Sequence, residues 1–377
     1  MRALQCAQIL IPIVLTLAAG ALASNVATVK PEDVGLNPQR LDQLSHTLQT
    51  HVDRGQIAGV LALVGRRGHV AYCETFGYMD VEAARPMQAD SIFRIASMTR
   101  AVTAVAVLQL MEQGRFMLDN PVSKHIPAFK DMTVAVDPSE IVPAERPITI
   151  RDLLRHTSGI LYGGKACRQA KLHQWGRSLS AFVETLCALP FGSQPGGQFK
   201  YSYSTDVLGY VVEVVSDRPL DDYFEQFIFK PLAVHDTGFA VPREKVERLT
   251  NHYHYTQGKL ECRERAATSP FLKRAKALSE GSGSSYSYPG LVTTARDWWR
   301  FMEMLRNQGQ LDGKRVLSHP AAQVMCADHL GDIPGASSPG PGMTCPSASL
   351  RTPLSTADSP RRGQFVGRAV RTTRTIL

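Results

Sequence analysis

The sequence predicts an α+β fold: an antiparallel sheet with flanking helices and a helical insertion. Three observations predict it. A strand–turn–strand pattern lies early, between Val60 and Cys73; helical patterns broken by Gly and Pro fill residues 120–280; and periodicity returns late, between Leu291 and Leu305. The helical middle then separates two parts of one sheet-based domain. The 377 residues have room for one large domain or two small ones. A content of 44% hydrophobic and 20% charged residues excludes disordered, collagen-like and coiled-coil chains.

The first element is a processing segment. Arg2 precedes the apolar stretch Ile9 to Leu17, and small residues end in Ala21-Leu22-Ala23, the layout of a secretory signal. The apolar stretch is short for a membrane anchor and contains Pro12. Cleavage is therefore expected after Ala23, giving a secreted or periplasmic protein with no stable membrane insertion. Cys73, Cys167, Cys187, Cys262, Cys326 and Cys345 would remain, without a C-x-x-C pair to suggest zinc. Cys167 and Cys187 could close a loop in an oxidising compartment.

Leu41 to Val52 has helical spacing. Val60 to Gly65 reads as a strand, Arg66-Arg67-Gly68 as a turn and His69 to Cys73 as the returning strand. Ser91 to Ala96 is strand-like. From Ser97 the apolar Val102, Val105, Leu108 and Met111 recur at helical spacing until Gly114, a C-cap signal. Weak strand character reappears near His252 to Tyr255. After Gly281-Ser282-Gly283-Ser284, residues Leu291 to Leu305 read as helix.

The net charge of +8 does not mark a nucleic-acid binder. Residues 1–23 hold one Arg and no acid, and residues 343–377 hold six Arg and one Asp, so the body, 24–342, carries 8 − 1 − 5 = +2. No basic face with interleaved aromatics occurs there.

Ser97 is the nucleophile candidate. A hydroxyl at a helix start sits at the positive end of the helix dipole, which favours a developing anion. Position 100 lies on the same helix face and can reach that hydroxyl. Taken alone, a serine there is an ordinary N-cap. The segment Phe93-Arg94-Ile95-Ala96-Ser97-Met98-Thr99, however, resembles the nucleophile segment of the serine β-lactamase-like hydrolases: class C β-lactamases, penicillin-binding proteins and related esterases. Leu118-Asp119-Asn120-Pro121-Val122 resembles the stretch after their nucleophile helix. Leu153-Leu154-Arg155-His156-Thr157-Ser158-Gly159 resembles their LLxHTSG segment. Tyr201-Ser202-Tyr203 resembles their second catalytic motif, Tyr-x-Asn or, in the esterase branch, Tyr-Ser-x. Asp236-Thr237-Gly238-Phe239 and Gly290-Leu291-Val292-Thr293-Thr294-Ala295 also match. The similarity covers roughly residues 30–342.

The resemblance implies a β-lactamase/transpeptidase-like fold and an acyl-enzyme mechanism. Ser97 would attack an acyl carbonyl, and Tyr201 would carry protons to the leaving group. A free tyrosine titrates near 10, so a neighbouring cation is expected to lower Tyr201. The loop holding His156 is structural in the family. Substrates would be small esters, amides or β-lactams, with no metal or organic cofactor.

Two departures stand out. Position 100 is Arg, not the family's Lys. Guanidinium does not act as a base in proteins, although Arg100 could supply charge to Tyr201. Tyr203 replaces the Asn of Tyr-x-Asn, which favours the esterase branch. The family's third motif (Lys-Thr-Gly, His-x-Gly or Trp-Gly-Gly) is not found. Residues 343–377 lose all periodicity and are expected to be a divergent, disordered tail. Within them, Gly363-Gln364-Phe365 resembles the residues before Trp-Gly-Gly, and codons for Phe365 to Arg368 permit that motif when read one base later, so a shifted frame is one reading of the tail. The expected function is an exported serine hydrolase acting on carboxylic esters or related acyl groups; the alternative is a catalytically impaired relative that binds cell-wall peptide or β-lactam.

Overall fold

The computed structural model describes residues 28–137, 139–172, 178–272 and 290–335. The expected signal (1–23), the Gly281–Ser284 segment and the expected tail (343–377) lie outside the described residues.

Helix α1 (Pro38–Asp53) begins where Asn37 Oδ1 accepts from the Arg40 amide at 3.0 Å and Pro38 supplies a fixed φ. Strands β1 (Gly59–Arg66) and β2 (His69–Asp80) form the expected hairpin. Arg66 pairs with His69, so Arg67-Gly68 is a two-residue turn. Their φ values of 55° and 85° are both left-handed, the turn geometry that matches strand twist. Alternation along β1 divides the core. Val60 and Ala62 face α1, packing with Leu48 and Tyr72. Leu61 faces the opposite layer with Met79, Phe93 and Ala295.

A short β3 (Arg85–Pro86) joins β2, and β4 (Ile92–Arg94) follows. A 3-10 turn, Ala96–Met98, then leads into α2 (Thr99–Glu112). The helix expected from Ser97 therefore starts as a tighter turn, and the α-helix begins two residues later. It ends before Gly114, whose φ of 71° suits the expected cap. Helix α2 is apolar nearly all round, and Val105, Ala106 and Val107 are completely buried.

The middle of the chain wraps α2. A small hairpin, β5 (Thr133–Ala135) and β6 (Ile141–Pro143), interrupts it; three-residue strands are too short to show periodicity. Helices α3 (Ile150–Leu154), α4 (Gly164–Gln169), α5 (Leu179–Cys187), α6 (Ser204–Ser216) and α7 (Leu220–Phe224) follow. The strand character near His252 belongs to a hairpin, β7 (His252–Thr256) and β8 (Lys259–Glu264).

The late segment corrects the sequence reading. Val292–Thr294 is a strand, β9, and only then does α8 (Ala295–Arg306) begin, capped by Thr294. Strand β9 pairs antiparallel with β4, placing Ile92 opposite Thr294 and Arg94 opposite Val292. Its β-branched residues suit a strand, but the partner lies 200 positions away, beyond any local pattern. A small pair, β10 (Gln310–Leu311) and β11 (Lys314–Arg315), and α9 (His319–Cys326) complete the described residues. No helix among them is long and apolar enough to cross a membrane. Cys167 and Cys187 do not pair. Both are free thiols among helices, and burial pushes Cys187 up to about 12.

Candidate active site

Strands β4 and β9 set the position of Ser97. The Ile95 amide donates to the Leu291 carbonyl at 3.0 Å, and the Leu291 amide donates to Thr99 Oγ1 at 2.8 Å. The chain is thus fixed on both sides of the serine. Between these anchors Ala96 has a φ of 44°, a left-handed conformation that strains any residue with a Cβ. The half-buried Ser97 follows directly. Arg94 fastens the same strand from below: it binds Glu264 at 2.6 Å and the Thr250 carbonyl at 2.6 Å.

Tyr201 reaches the site from the segment just before α6. Its segment is laced to the His156–Leu161 loop: the Gly196, Lys200 and Tyr203 amides donate to the carbonyls of Thr157, His156 and Leu161. That loop follows α3, whose start carries a reciprocal cap between Thr149 and Asp152. Asp152 is buried and also holds Arg146 at 2.6 Å, Arg155 at 3.2 Å and Thr157 Oγ1 at 2.9 Å. Burial raises its carboxyl, but hydrogen bonds from Arg146 and Thr149 outweigh that and lower it to about 2. Gly159 closes the loop with a φ of 80°, and a Cβ there would lie 2.1 Å from the Ser193 carbonyl oxygen.

These supports bring two of the expected residues into direct contact. Tyr201 Oη donates to Ser97 Oγ at 2.7 Å. Arg100 is adjacent and buried, with its guanidinium carbon 4.1 Å from the centre of the Tyr201 ring. Its Nη1 donates to Thr205 Oγ1 at 2.7 Å, to the Ser202 carbonyl at 3.3 Å and to His156 Nε2 at 3.3 Å. Arg100 Nε and Nη2 have no hydrogen-bond partner among the described residues.

The electrostatics correct one expectation. Burial pushes the Tyr201 phenol above its usual 10; the Arg100 charge and the Ser97 hydrogen bond oppose this without overcoming it. A neighbouring cation is present, yet Tyr201 is neutral and donating near pH 7. His156 is held well below its usual 6.5 by burial and then by Arg100, so its imidazole is neutral too. It stacks on Tyr201, with ring centres 5.0 Å apart. The histidine of this loop thus touches both Arg100 and Tyr201. Ser202, Thr205 and Tyr162 complete the surroundings, and Tyr162 meets Tyr201 edge-on at 4.9 Å. The sequence reading did not single them out, although Ser202 and Thr205 lie within four residues of Tyr201. Among the described residues no group of three His, Cys, Asp or Glu is placed to hold a metal.

The remaining motifs are braces. Asp119 takes two hydrogen bonds from Arg151, joining the Leu118–Val122 stretch to α3. Asp297 accepts from the His235 and Asp236 amides, so the Asp236–Phe239 motif is tied to the first turn of α8.

The beta-lactamase family model matches residues 44–337. The chain belongs to the beta-lactamase family. Protein Rv1367c of Mycobacterium tuberculosis is 32% identical to it over 300 residues, which span 78% of this chain and 73% of that protein. Esterase EstB of Burkholderia gladioli is 33% identical over 208 residues, 53% of this chain and 51% of EstB. This chain thus aligns with about half of EstB. Among solved structures, EstCE1, a hydrolase with promiscuous acyltransferase activity, superposes with a TM-score of 0.69 at 27% identity, covering 81% of each chain. The β-lactamase/transpeptidase-like fold expected from the motifs is the fold found, in a serine hydrolase-type family with esterase relatives.

Proposed function

We propose that this chain is an exported hydrolase of carboxylic esters that works through an acyl-enzyme on Ser97. The 2.7 Å hydrogen bond between Tyr201 and Ser97, beside a buried Arg100, carries the proposal. Ser97 Oγ adds to the acyl carbonyl as its proton passes to the tyrosinate form of Tyr201. Tyr201 then returns that proton to the departing alkoxide, leaving the acyl group on Ser97. Water repeats the exchange: Tyr201 takes its proton, the acyl carbon accepts its oxygen, and Ser97 leaves with the proton. Arg100 takes no proton in this scheme; its charge favours the tyrosinate and the developing oxyanion. An ester fits better than an amide, since alkoxide leaves more readily than amine and position 203 lacks the family's Asn. Residues 1–23 are the proposed export signal, which N-terminal sequencing of the mature protein tests.

A second reading has its own support. Arg100 is no base and Tyr201 is neutral near pH 7, as expected of a relative that binds acyl ligands without turning them over. An alkyl fluorophosphonate separates the two. A mass shift on the Ser97 peptide, lost in Ser97→Ala and accompanied by p-nitrophenyl ester turnover, supports the hydrolase. A folded sample that takes no label but retains a fluorescent penicillin reversibly supports the binder.

A further inference from the structure

With Ser97 and Tyr201 taken as the reacting pair, we propose that His156 is a positioning residue: its imidazole, locked in one tautomer by a buried chain of serine hydroxyls, accepts from Arg100 and holds the guanidinium against the Tyr201 ring.

The direction of every hydrogen bond follows from what each group can offer. Arg100 Nη1 can only donate, so His156 Nε2, 3.3 Å away, must accept. The imidazole proton then sits on Nδ1 and donates to Ser202 Oγ at 3.3 Å. Ser202 Oγ also accepts from the Ser204 amide at 3.2 Å, which leaves its own proton for Ser204 Oγ at 2.6 Å. Ser204 passes its proton on to Ser158 Oγ at 2.7 Å, and that oxygen accepts in addition from the Ile160 amide at 3.2 Å. Ser158, Ser202 and Ser204 are fully buried, so bulk water does not compete for these positions. The chain runs one way, and reversing the tautomer would set a proton on Nε2 against the Arg100 proton.

The same imidazole stacks on Tyr201, so one ring touches both the charge and the phenol that the charge acts on. Among the described residues, the titratable groups facing Tyr201 are Arg100 from α2 and His156 and Tyr162 from the loop after α3. A protonated His156 would lose its acceptor and repel the guanidinium. Arg100 in this chain thus belongs to a built arrangement rather than standing as a misplaced lysine.

Two measurements test this, and neither depends on turnover, so they stand or fall separately from the proposed hydrolysis. The first is the nitrogen NMR spectrum of the unsubstituted protein near pH 7, with His156 assigned by comparison with His156→Gln. A neutral ring protonated on Nδ1 is expected; a charged ring, or a proton on Nε2, overturns the proposal. The second is the ultraviolet titration of Tyr201, isolated by difference from Tyr201→Phe. His156→Leu should move the Tyr201 titration upward by about one pH unit, in step with Arg100→Met, because the cation no longer stays at the ring. The two substitutions combined should add nothing further, and His156→Gln, which keeps an acceptor, should restore most of the original titration. A Tyr201 titration unmoved by His156→Leu overturns the proposal. If His156→Leu does not fold, the nitrogen spectrum decides alone.

Discussion

A phenol that titrates above 10 sets the pH dependence of any reaction that needs its anion. At pH 7 fewer than about one molecule in a thousand holds tyrosinate at an ordinary phenol value, and burial lowers that fraction here. In the proposed mechanism the active form is the deprotonated one, so kcat/KM for a p-nitrophenyl ester should climb about tenfold per pH unit from 7 to 9 and level only above 10. A flat profile over that range would remove Tyr201 as the base. Tyr201→Phe should cost two to four orders of magnitude in kcat, roughly the range for losing a general acid–base group, without altering the melting temperature much. Arg100→Lys should leave turnover at pH 7 unchanged or lower it, because lysine gives up the guanidinium contacts with Thr205, Ser202 and His156 that hold the charge at the Tyr201 ring; a higher rate would mark Arg100 as the defect beside Ser97. Ser97, Tyr201 and Arg100 were legible because motif spacing survives in sequence. The upward shift of Tyr201 was not, since it follows from how much of the ring other segments cover. Nor was the contact of His156 with Arg100, which joins positions 56 residues apart.

The elements that hold these residues depend on a few local devices. At Gly159 an added methyl group meets the Ser193 carbonyl oxygen at 2.1 Å in a left-handed backbone. Gly159→Ala should therefore destabilise the protein by more than about 1 kcal/mol, the sum of backbone strain and a clash neither side can relieve cheaply, and denaturant unfolding would measure it. Asp152 makes the same loop sensitive to acid. Its folded value of about 2 lies below the usual 3.8, so the stability it supplies is complete above pH 4 and is lost as pH falls through 2. The difference of nearly two units corresponds to about 2 kcal/mol. Asp152→Asn should be less stable at pH 6 and should show a shallower acid limb; equal slopes for the two proteins would contradict the assignment. The β1–β2 hairpin and α2 were readable because their patterns are long and close on themselves. Strand β9 was read as helix because three β-branched residues, the last of them the N-cap of α8, carry too little periodicity, and their partner strand β4 is far away in sequence.

At the scale of the molecule, the segment holding Ser97 is a meeting point of distant stretches. Ile92 and Ile95 bond to Thr250 and Leu291, and Gly238 bridges to Val292 on the far side of β9. Loss of fluorophosphonate labelling at Ser97 should therefore coincide with the unfolding of α2 and α8 in a single transition by near- and far-ultraviolet circular dichroism. Labelling that disappears well before the helices melt would mean that the site opens by itself. The β4–β9 pairing also has a consequence in time. At roughly 5–20 residues per second of synthesis, β9 is made about 10–40 s after β4. For all of that interval Ile92, Phe93 and Arg94 lack the strand they pair with, and Ser97 lacks the Leu291 anchor that fixes its segment. A nascent chain halted before Leu291 should accordingly recruit holding chaperones and carry an inert Ser97, so that reactivity is acquired only once nearly the whole described chain has been made.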